Sequence, residues 1–321
     1  MANYSKSEAK EYAKEKLRGV FSAFCLPETL ELEVDEAGLR HDVRHYVDGI
    51  KSAGLYVHGF YGNFWLLTVP ERKRVMEIVV DENRGRLPIV CRCAHQSLRD
   101  TIDLIQHAEA CGADFISLIG PAFASGRDSM IVEYFERVAE STNLGISVFN
   151  TPQAGYAISP QLMARLADIP NVCALKNGMD HDHTRQVREL VGDRIVVVDP
   201  YEENFLESLT EHGQKAIYTG TNYMFDSVGV TPMRDYVEAA LIGDYGRAAE
   251  LYHAMQPIRD LHQRWVLDPW RRDRLCPVST IKFWGSQLGL TGGPVRPPLP
   301  EFPADEAAQL REEMRAVGLL N

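Results

Sequence analysis

The chain lacks the features that mark several whole classes of protein. No apolar run approaches the roughly 20 residues that a membrane helix needs, so we expect no association with a membrane. Basic residues are in deficit, with 34 Lys and Arg against 45 Asp and Glu, and the longest basic cluster spans only residues 271–274. The formal charge of −11 repels phosphate backbones, which argues against nucleic acid as a partner.

Cysteine is also scarce: the 321 residues include six, which lie mostly inside apolar segments, as reduced and buried thiols do. The first 19 residues are charged and helical in character, without the apolar core of a signal peptide. Hydrophobic residues make up 45% of the chain and charged residues 25%, which excludes a disordered or fibrous protein. Together these properties predict a cytoplasmic enzyme.

Eight short apolar segments, rich in β-branched or aromatic residues, alternate with longer stretches of helical spacing. The short segments run apolar without strict alternation, which predicts strands that are buried on both faces. In the stretch 97–111, four apolar residues share one helical face: Leu98, Ile102, Ile105 and Ala108. The predicted strands comprise residues 19–24, 55–58, 87–91, 115–119, 145–149, 172–176, 194–198 and 216–219.

Helix boundaries are predicted from capping residues and from apolar spacing. Ser129, Ser159 and Asp182 are expected to cap the helices that follow them, because short polar side chains satisfy the first free N–H groups of a helix. Beyond about residue 245 the strand pattern stops. Helices are predicted there over residues 247–264, 278–288 and 305–317.

Eight strands, each followed by a helix, are the number that closes a parallel barrel of this length. An open, doubly wound sheet would produce a similar alternation. However, no Gly-x-Gly-x-x-Gly follows the first strand, where dinucleotide-binding folds carry it. We therefore predict a (β/α)8 TIM barrel over 19–245, preceded by a helical segment (1–18) and followed by C-terminal helices (246–321) that pack on the barrel.

In such a barrel the chemistry lies at the C-terminal ends of the strands and in the loops just beyond them. Lys176 ends the otherwise apolar sixth strand, where partial desolvation would lower its pKa and free a neutral amine. A neutral lysine amine is the protein nucleophile that attacks a carbonyl and forms a Schiff base. The alternative is a lysine that only reaches solvent at a strand end.

A set of motifs, in order over most of the chain from Gly19 onwards, carries a resemblance to a known family. The chain resembles the dihydrodipicolinate synthase and N-acetylneuraminate lyase superfamily of Schiff-base aldolases. The resemblance implies a (β/α)8 barrel with C-terminal helices, a homo-oligomer of four or two subunits, and a pyruvate-type 2-oxo acid bound to the strand-six lysine, which is Lys176. The motifs are Gly19-Val20-x-x-Ala23 with Pro27, Gly59-x-x-Gly62-x-x-x-Leu66-x-Thr68-x-x-Glu71-Arg72, Asn150-x-Pro152, Leu175-Lys176, Asn222 and Val295-Arg296-Pro297-Pro298-Leu299.

The chain departs from this family around the expected pocket. The family's strand-two loop reads Gly-Thr/Ser-Thr-Gly-Glu, where this chain has Phe60 and Tyr61 in place of the hydroxyl residues and Asn63 in place of the acid. Phe149 matches the strand-five tyrosine that relays protons in the family, and Phe123 matches the tyrosine that dihydrodipicolinate synthases lend across a subunit interface. The family's arginine past Asn-x-Pro is absent.

Each change from tyrosine to phenylalanine removes a hydroxyl, and general acid–base help of that kind is worth about 10²- to 10⁴-fold in rate. The pocket mouth is therefore expected to be apolar and aromatic. This expectation argues against lysine biosynthesis and against sialic acid, whose hydroxyls and charges need polar partners. The groups near strand ends that could replace the lost proton carriers are Tyr61, Tyr156, Tyr218, His58 and His95.

The predicted site has one catalytic residue, Lys176. The peptide N–H groups of the Gly59–Tyr61 segment are expected to bind the substrate carboxylate. Tyr61 and His58 are candidate proton carriers, although a packing tyrosine and a hydrogen-bonded core histidine are the favoured interpretations. The predicted substrate-binding residues are Gly59, Phe60, Tyr61, Phe123, Phe149, Asn150, Tyr218 and Gly220.

Two groups of metal-binding residue types are interpreted without a metal. The run 180–183 (Asp-His-Asp-His) lies where a helix should begin, so capping by Asp182 is the simpler account. Cys91 and Cys93, with His95, lack the second pair that would complete four ligands. We expect no metal, and no cofactor either, because an imine itself stores the electrons.

The sequence thus predicts a lyase, either an aldolase or a hydratase-aldolase. It would form a Schiff base between Lys176 and a pyruvate-like 2-oxo acid that carries an apolar or aromatic remainder. Two alternatives stay open at this point. One is an enzyme on the same barrel that uses no imine, such as a dehydratase or hydrolase with a new base; the other is a catalytically silent family member that binds a small acid.

Overall fold

The computed structural model describes residues 3–122, 126–219 and 222–320. The strands, in chain order, are β1 (Gly19–Ala23), β2 (Gly54–Val57), β3 (Ile89–Arg92), β4 (Phe115–Leu118), β5 (Gly145–Asn150), β6 (Val172–Asn177), β7 (Val196–Val198) and β8 (Ala216–Thr219). They form one sheet in the order β7-β6-β5-β4-β3-β2-β1-β8, and β7 also contacts β8. This is the predicted (β/α)8 barrel, and all eight predicted strands are confirmed.

Helices separate the strands and continue after β8, as predicted. Within the described residues the α-helices are α1 (Ala9–Lys16), α2 (Glu36–Arg44), α3 (Val69–Asn83), α4 (Leu98–Cys111), α5 (Asp128–Glu140), α6 (Pro160–Leu166), α7 (His181–Val191), α8 (Phe205–Thr210), α9 (Pro232–Leu241), α10 (Tyr245–Ala254), α11 (Gln256–His262), α12 (Asp268–Asp273), α13 (Val278–Gln287) and α14 (Ala304–Ala316). Among these residues no helix is both long enough and apolar enough to cross a membrane.

Of the three predicted caps, only Ser159 is confirmed; its hydroxyl accepts the N–H of Leu162 at the start of α6. The helix α5 begins at Asp128, so Ser129 lies inside the helix. Asp182 also lies inside its helix, and Asp180 is the residue that caps α7 by accepting the N–H of His183. Each of these two helices begins two residues earlier than the predicted cap implied.

The predicted helix over 247–264 is divided into α10 and α11, which meet at Met255. Pro257 lies in the first turn of α11, where its missing N–H leaves no hydrogen bond unmade. In α4 the buried face also differs from the predicted one. Thr101 and Leu104 are buried with Ile105 and Ala108, because the helix is rotated toward them from the predicted stripe.

The described chain divides by its internal contacts into two compact units. The first unit contains residues 3–21 and 87–219, and the second contains residues 22–86 and 222–320. The boundaries predicted after residues 18 and 245 stay predictions.

In the first unit, the helix α1 packs against β5, β6 and β7. Tyr4 precedes this helix, and its hydroxyl accepts the N–H of Gly145, the first residue of β5, at 2.7 Å. The Tyr4 and Tyr12 rings stack with centroids 4.2 Å apart, and the Tyr12 ring lies 5.5 Å from that of Phe115. These contacts hold the N-terminal helix against the starts of the middle strands.

In the second unit, a buried ionic cluster joins segments that are far apart in the chain. The Glu28 carboxylate, which follows β1, lies 2.9 Å from Lys282 Nζ of α13 and 2.9 Å from Arg296 Nε. Arg296 also reaches Glu71 at 2.6 Å, and Glu71 forms a capping box with Thr68 at the start of α3. The Thr68…Glu71 motif and the Arg296 tail therefore serve to position α3 and the C-terminal segment.

Candidate active site

Lys176 faces the same side of the sheet as Phe149 and Arg92. Phe149 on β5 is in register with Lys176 on β6, and in-register residues of parallel strands point to one side. Residues two apart on a strand face the same side of the sheet, so Ser147 of β5 lies on the same side as Phe149. Ser147 is in register with Ser117 on β4, which is in register with Arg92 on β3.

The aromatic ring of Phe149 lies beside two cations. Lys176 Nζ lies 4.8 Å from the ring centroid, and Arg92 Cζ lies at the same distance from it. Arg92 is fully buried, Phe149 is buried, and Lys176 is partly exposed. Since the face of an aromatic ring carries negative potential, Phe149 attracts both cations and helps to fix their positions.

Burial and charge together free the Lys176 amine of its proton near neutral pH. Desolvation, the larger cause, and the nearby Arg92 guanidinium together lower the pKa of its ammonium from 10.5 to about 7. Lys176 therefore loses its proton much more readily than an ordinary lysine does. The Lys176 residue as a whole keeps part of its surface accessible to solvent.

A polar network holds the chain on either side of Lys176. Asn177 Oδ1 accepts a hydrogen bond from Asn150 Nδ2 at 3.0 Å, which links the ends of β5 and β6. Asn177 Nδ2 donates to Thr184 Oγ1 at 2.8 Å and lies 3.1 Å from His183 Nδ1. His183 Nε2 and the Asn150 amide both bind the carbonyl of Ile158. The network ties the residue after Lys176 to α7 and to the loop after β5.

Asn150, a predicted substrate-binding residue, has both ends of its amide engaged within this network. Its Oδ1 accepts the N–H of Ile158 at 2.9 Å, and its Nδ2 donates to the carbonyl of the same residue at 2.9 Å. This arrangement fixes the loop that follows β5, so the structure shows Asn150 as a positioning residue. Contact between Asn150 and a substrate stays a prediction.

The loop after β6 is fixed by Gly178 and Tyr201. The Tyr201 hydroxyl, which follows β7, donates to the carbonyl of Gly178 at 2.9 Å. A Cβ at Gly178 would lie 3.2 Å from the Asn150 carbonyl oxygen and 3.4 Å from Phe149 Cε2. The absence of a side chain there lets this loop pass close to the end of β5. The Tyr201 hydroxyl therefore contacts the residue two positions after Lys176 in the sequence.

His58, a candidate proton carrier, is buried in the second unit, and its Nε2 lies 2.9 Å from the carbonyl oxygen of Arg72. An imidazole binds a carbonyl by donating, so Nε2 carries the proton. The residue has a φ of 62°, in the left-handed region that costs about 1 kcal/mol or more for a residue with a Cβ. These observations favour the core-histidine interpretation.

The strand-two loop forms a short 3-10 turn over Phe60–Gly62, preceded by Gly59 in an extended conformation. The Tyr61 ring packs edge-on against Trp270 at 5.8 Å, and the Phe60 ring lies 6.3 Å from the same indole and 5.9 Å from Trp65. The favoured packing role of Tyr61 agrees with these contacts. The turn's own hydrogen bonds begin with the N–H of Gly62, which donates to the carbonyl of Gly59.

Three further predicted site residues are less informative. Tyr218 is buried on β8, where its ring packs edge-on against Phe21 with centroids 5.3 Å apart. Phe123 and Gly220 lie outside the described residues. Their roles in substrate binding stay predictions.

Arg92 was missed as a site residue, although the sequence carried a signal for it. It is a charged residue at the end of an apolar strand, the same pattern that identified Lys176. The sequence could not show on which face of β3 the Arg92 side chain lies, because the residues before it are apolar without alternation. His183 and Asn177 were missed because their partners lie on other elements.

In a (β/α)8 barrel the functional residues lie at the C-terminal ends of the strands, and Lys176 lies at that end of the sixth strand. The sequence profile of the Dihydrodipicolinate synthetase family matches residues 16–317 of the chain. The chain belongs to this family. The resemblance inferred from the motifs is therefore confirmed.

Similar proteins agree with this assignment. The chain is 29% identical to a 4-hydroxy-tetrahydrodipicolinate synthase of Methanopyrus kandleri, over 95% of this chain and 98% of that protein. It is 30% identical to a probable 5-dehydro-4-deoxyglucarate dehydratase of Methylobacterium radiotolerans, over 87% of this chain and 88% of that protein. A crystal structure of a dihydrodipicolinate synthase superimposes with a TM-score of 0.80 and 25% identity, covering 94% of this chain and 100% of that one. The protein is an enzyme, a lyase of this family.

Proposed function

We propose that Lys176 forms a Schiff base with a pyruvate-like 2-oxo acid. The amine lone pair would add to the ketone carbon, and the carbonyl oxygen would leave as water, giving the imine. The supporting observation is that Lys176, a partly exposed residue at the end of β6, holds its amine beside Phe149 and Arg92 with a pKa lowered to about 7. The protonated imine then withdraws electrons from the neighbouring carbon, which permits aldol cleavage, aldol addition or hydration followed by cleavage.

The rest of the substrate is proposed to be apolar or aromatic. Phe149 supports this proposal, because its ring, not a hydroxyl, lies beside the amine. By resemblance to the family, the backbone of Gly59, Phe60 and Tyr61 would hold the substrate carboxylate, and Phe60 and Phe123 would complete the rim. A homo-oligomer of two or four subunits and a cytoplasmic location are likewise proposals that follow from the family.

Arg92 favours a second candidate for the remainder of the substrate. A guanidinium on the same face as Lys176 is a partner for a second carboxylate, and Arg binds carboxylates in a bidentate geometry. One relative at 30% identity is named a dehydratase of 5-dehydro-4-deoxyglucarate. The corresponding activity here would be loss of a hydroxyl as water from the Lys176 imine of a dicarboxylic 2-oxo acid.

Borohydride trapping tests the proposed imine. The protein is incubated with pyruvate or, separately, with 5-dehydro-4-deoxyglucarate; it is then reduced, digested with trypsin and examined by mass spectrometry. Trypsin does not cleave after an alkylated lysine. We therefore expect one uncleaved peptide, residues 166–185, that carries the mass of the reduced adduct at Lys176.

Two variants make this experiment specific. Lys176→Met should abolish both trapping and turnover, whereas Lys215→Met, which changes an exposed lysine before β8, should leave both unchanged. Proton NMR of the same mixtures separates the two candidates, because dehydration consumes 5-dehydro-4-deoxyglucarate and aldol chemistry consumes pyruvate with an added aldehyde. Absence of any adduct at Lys176, or turnover that persists in Lys176→Met, would overturn the proposal.

A further inference from the structure

Three side chains from separate parts of the first unit come together away from Lys176. His181 is the first residue of α7, Glu207 lies in α8, and His212 follows α8 by two residues. The two histidine Nε2 atoms lie 3.2 and 3.1 Å from the same oxygen, Glu207 Oε1. Among the residues that the structure describes, this is the one group of three whose ligand atoms all lie within 4.8 Å of each other.

We propose that His181, Glu207 and His212 form a binding site for a divalent ion of borderline softness, such as Zn²⁺. Zinc bonds to imidazole nitrogen and carboxylate oxygen are about 2.0–2.2 Å long, so neighbouring ligand atoms of a tetrahedral site lie roughly 3.3–3.5 Å apart. The two nitrogen–oxygen distances are close to this value. A set of two histidines and one glutamate leaves the fourth tetrahedral position open to water.

The same distances also fit ordinary hydrogen bonds from the imidazoles to Glu207; what points to an ion is the convergence of three ligand atoms of metal-binding type. Both imidazoles direct Nε2 toward one carboxylate oxygen, and their ring centroids are 5.5 Å apart, so the three ligand atoms surround one small volume. All three side chains are partly exposed, with His212 the most covered at 24%. An ion could therefore enter from solvent without an unfolding step.

The charges near the site are of both signs: the Arg188 guanidinium is close enough to Glu207 to interact with it and would oppose a cation, whereas carboxylates adjoin both histidines in the sequence. Asp180 and Asp182 flank His181 in the sequence, and Glu211 precedes His212. The N-terminus of α7 carries a partial positive charge that opposes a cation, and the Asp180 cap together with Asp182 offsets it. His183, the other histidine of the 180–183 run, is occupied by Asn177 and Ile158 and takes no part.

The consequence of metal binding would be structural. His181 begins the helix that directly follows β6, and Glu207 and His212 flank the end of α8 just before β8. One ion would thus join α7 to the α8–β8 connection, a link between segments that are 26 or more residues apart in the chain. The proposal is independent of the Schiff-base chemistry, since none of its residues touches Lys176 or Phe149 in the contacts described.

Isothermal titration of the untagged, metal-free chain with ZnCl₂ tests the site. We expect one equivalent of Zn²⁺ per chain, with a thermal midpoint of unfolding that rises with the zinc concentration. Glu207→Gln and His212→Gln should each weaken zinc binding by more than about 100-fold. The reason is that each removes a direct ligand, whereas loss of a residue that only supports a ligand costs roughly 10- to 100-fold. His253→Gln, which changes an exposed histidine of α10, should leave binding unchanged.

Two results would overturn the site. The first is the absence of stoichiometric zinc binding to the wild-type chain. The second is binding that survives both Glu207→Gln and His212→Gln, which would place the ion elsewhere, for example on a cysteine. Borohydride trapping at Lys176 in the two variants serves as a fold control, because it should proceed as in the wild type.

Discussion

At the scale of single residues, the reactivity of Lys176 depends on two causes that can be separated. Desolvation at the end of β6 is the larger cause of its lowered pKa, and the like charge of Arg92 is the smaller. Desolvation is a property of the whole barrel interior and is difficult to change alone. The Arg92 charge is one side chain, so its contribution can be measured by substitution.

Arg92→Met should move the acidic limb of the pH–rate profile to higher pH. Removing the guanidinium removes a repulsion from the charged form of Lys176, so the pKa of the ammonium rises above about 7 and less neutral amine is present at pH 7. We expect a shift that is smaller than the part of the pKa change caused by desolvation, because Arg92 is the lesser of the two causes. The measurement is kcat/KM, or the rate of imine formation with pyruvate, between pH 5.5 and pH 9.

Arg92→Lys retains the charge and should keep the limb near its wild-type position. Arg99→Met, which removes an exposed charge on α4, is the surface control and should show no shift. A limb that stays in place in Arg92→Met would show that Arg92 acts through packing alone.

At the scale of elements, the ends of β5 and β6 are joined to each other and to α7 by side-chain amides. Asn177 is the centre of this arrangement, since it contacts Asn150, His183 and Thr184. The backbone that carries Lys176 therefore depends on hydrogen bonds from the following residue. Such support is what holds a nucleophile in one geometry.

Asn177→Ala should lower both stability and the rate of imine formation. The substitution removes the buried hydrogen bonds from Asn177 to Asn150 and Thr184, each worth about 0.5–1.5 kcal/mol, although Asn150 keeps its bonds to Ile158 and Thr184 its bond to Asp180. We expect a decrease of roughly 2 kcal/mol in the free energy of unfolding, measured by urea denaturation. Gln106→Ala, at an exposed position of α4, should change stability by less than about 0.5 kcal/mol. Equal losses in the two variants would contradict the role of Asn177.

At the scale of the whole molecule, the second unit is held by a buried ionic cluster. The side chains of Glu28 and Lys282 are both almost fully inaccessible to solvent, and 254 residues separate them in the chain. Removing one partner of such a pair leaves an uncompensated buried charge, which is far more costly than the loss of the pair as a whole.

Lys282→Met should therefore destabilise the protein by about 3 kcal/mol, the lower end of the usual range, because Arg296 still faces Glu28. The double variant Glu28→Gln/Lys282→Met should recover part of that loss, since no unpaired charge remains. Arg137→Met, which breaks an exposed pair with Glu133, should cost less than about 1 kcal/mol. Urea denaturation of the four proteins measures these differences, and a double variant no more stable than Lys282→Met would contradict the explanation.

The order of elements and the position of Lys176 could be predicted from the sequence, because both depend on local patterns. Apolar runs and helical spacing gave eight strands, and the motifs gave the family. Helix starts were less certain, as Ser129 and Asp182 show, because a polar residue inside the first turn resembles a cap in sequence. Pro257 divided a predicted helix for a local reason, since a proline inside a helix removes one of its hydrogen bonds, and this signal was present in the sequence.

The sequence by itself predicted the barrel and the family, both confirmed, and it identified Lys176 as the candidate nucleophile. Only the tertiary structure showed which residues surround Lys176 and that His181, Glu207 and His212 come together at a separate position. Strands that are buried on both faces carry no alternation, so the direction in which Arg92 points became known only from the register of β3, β4 and β5. The meeting of His181 with Glu207 and His212 likewise depends on how two helices pack, which no local pattern encodes.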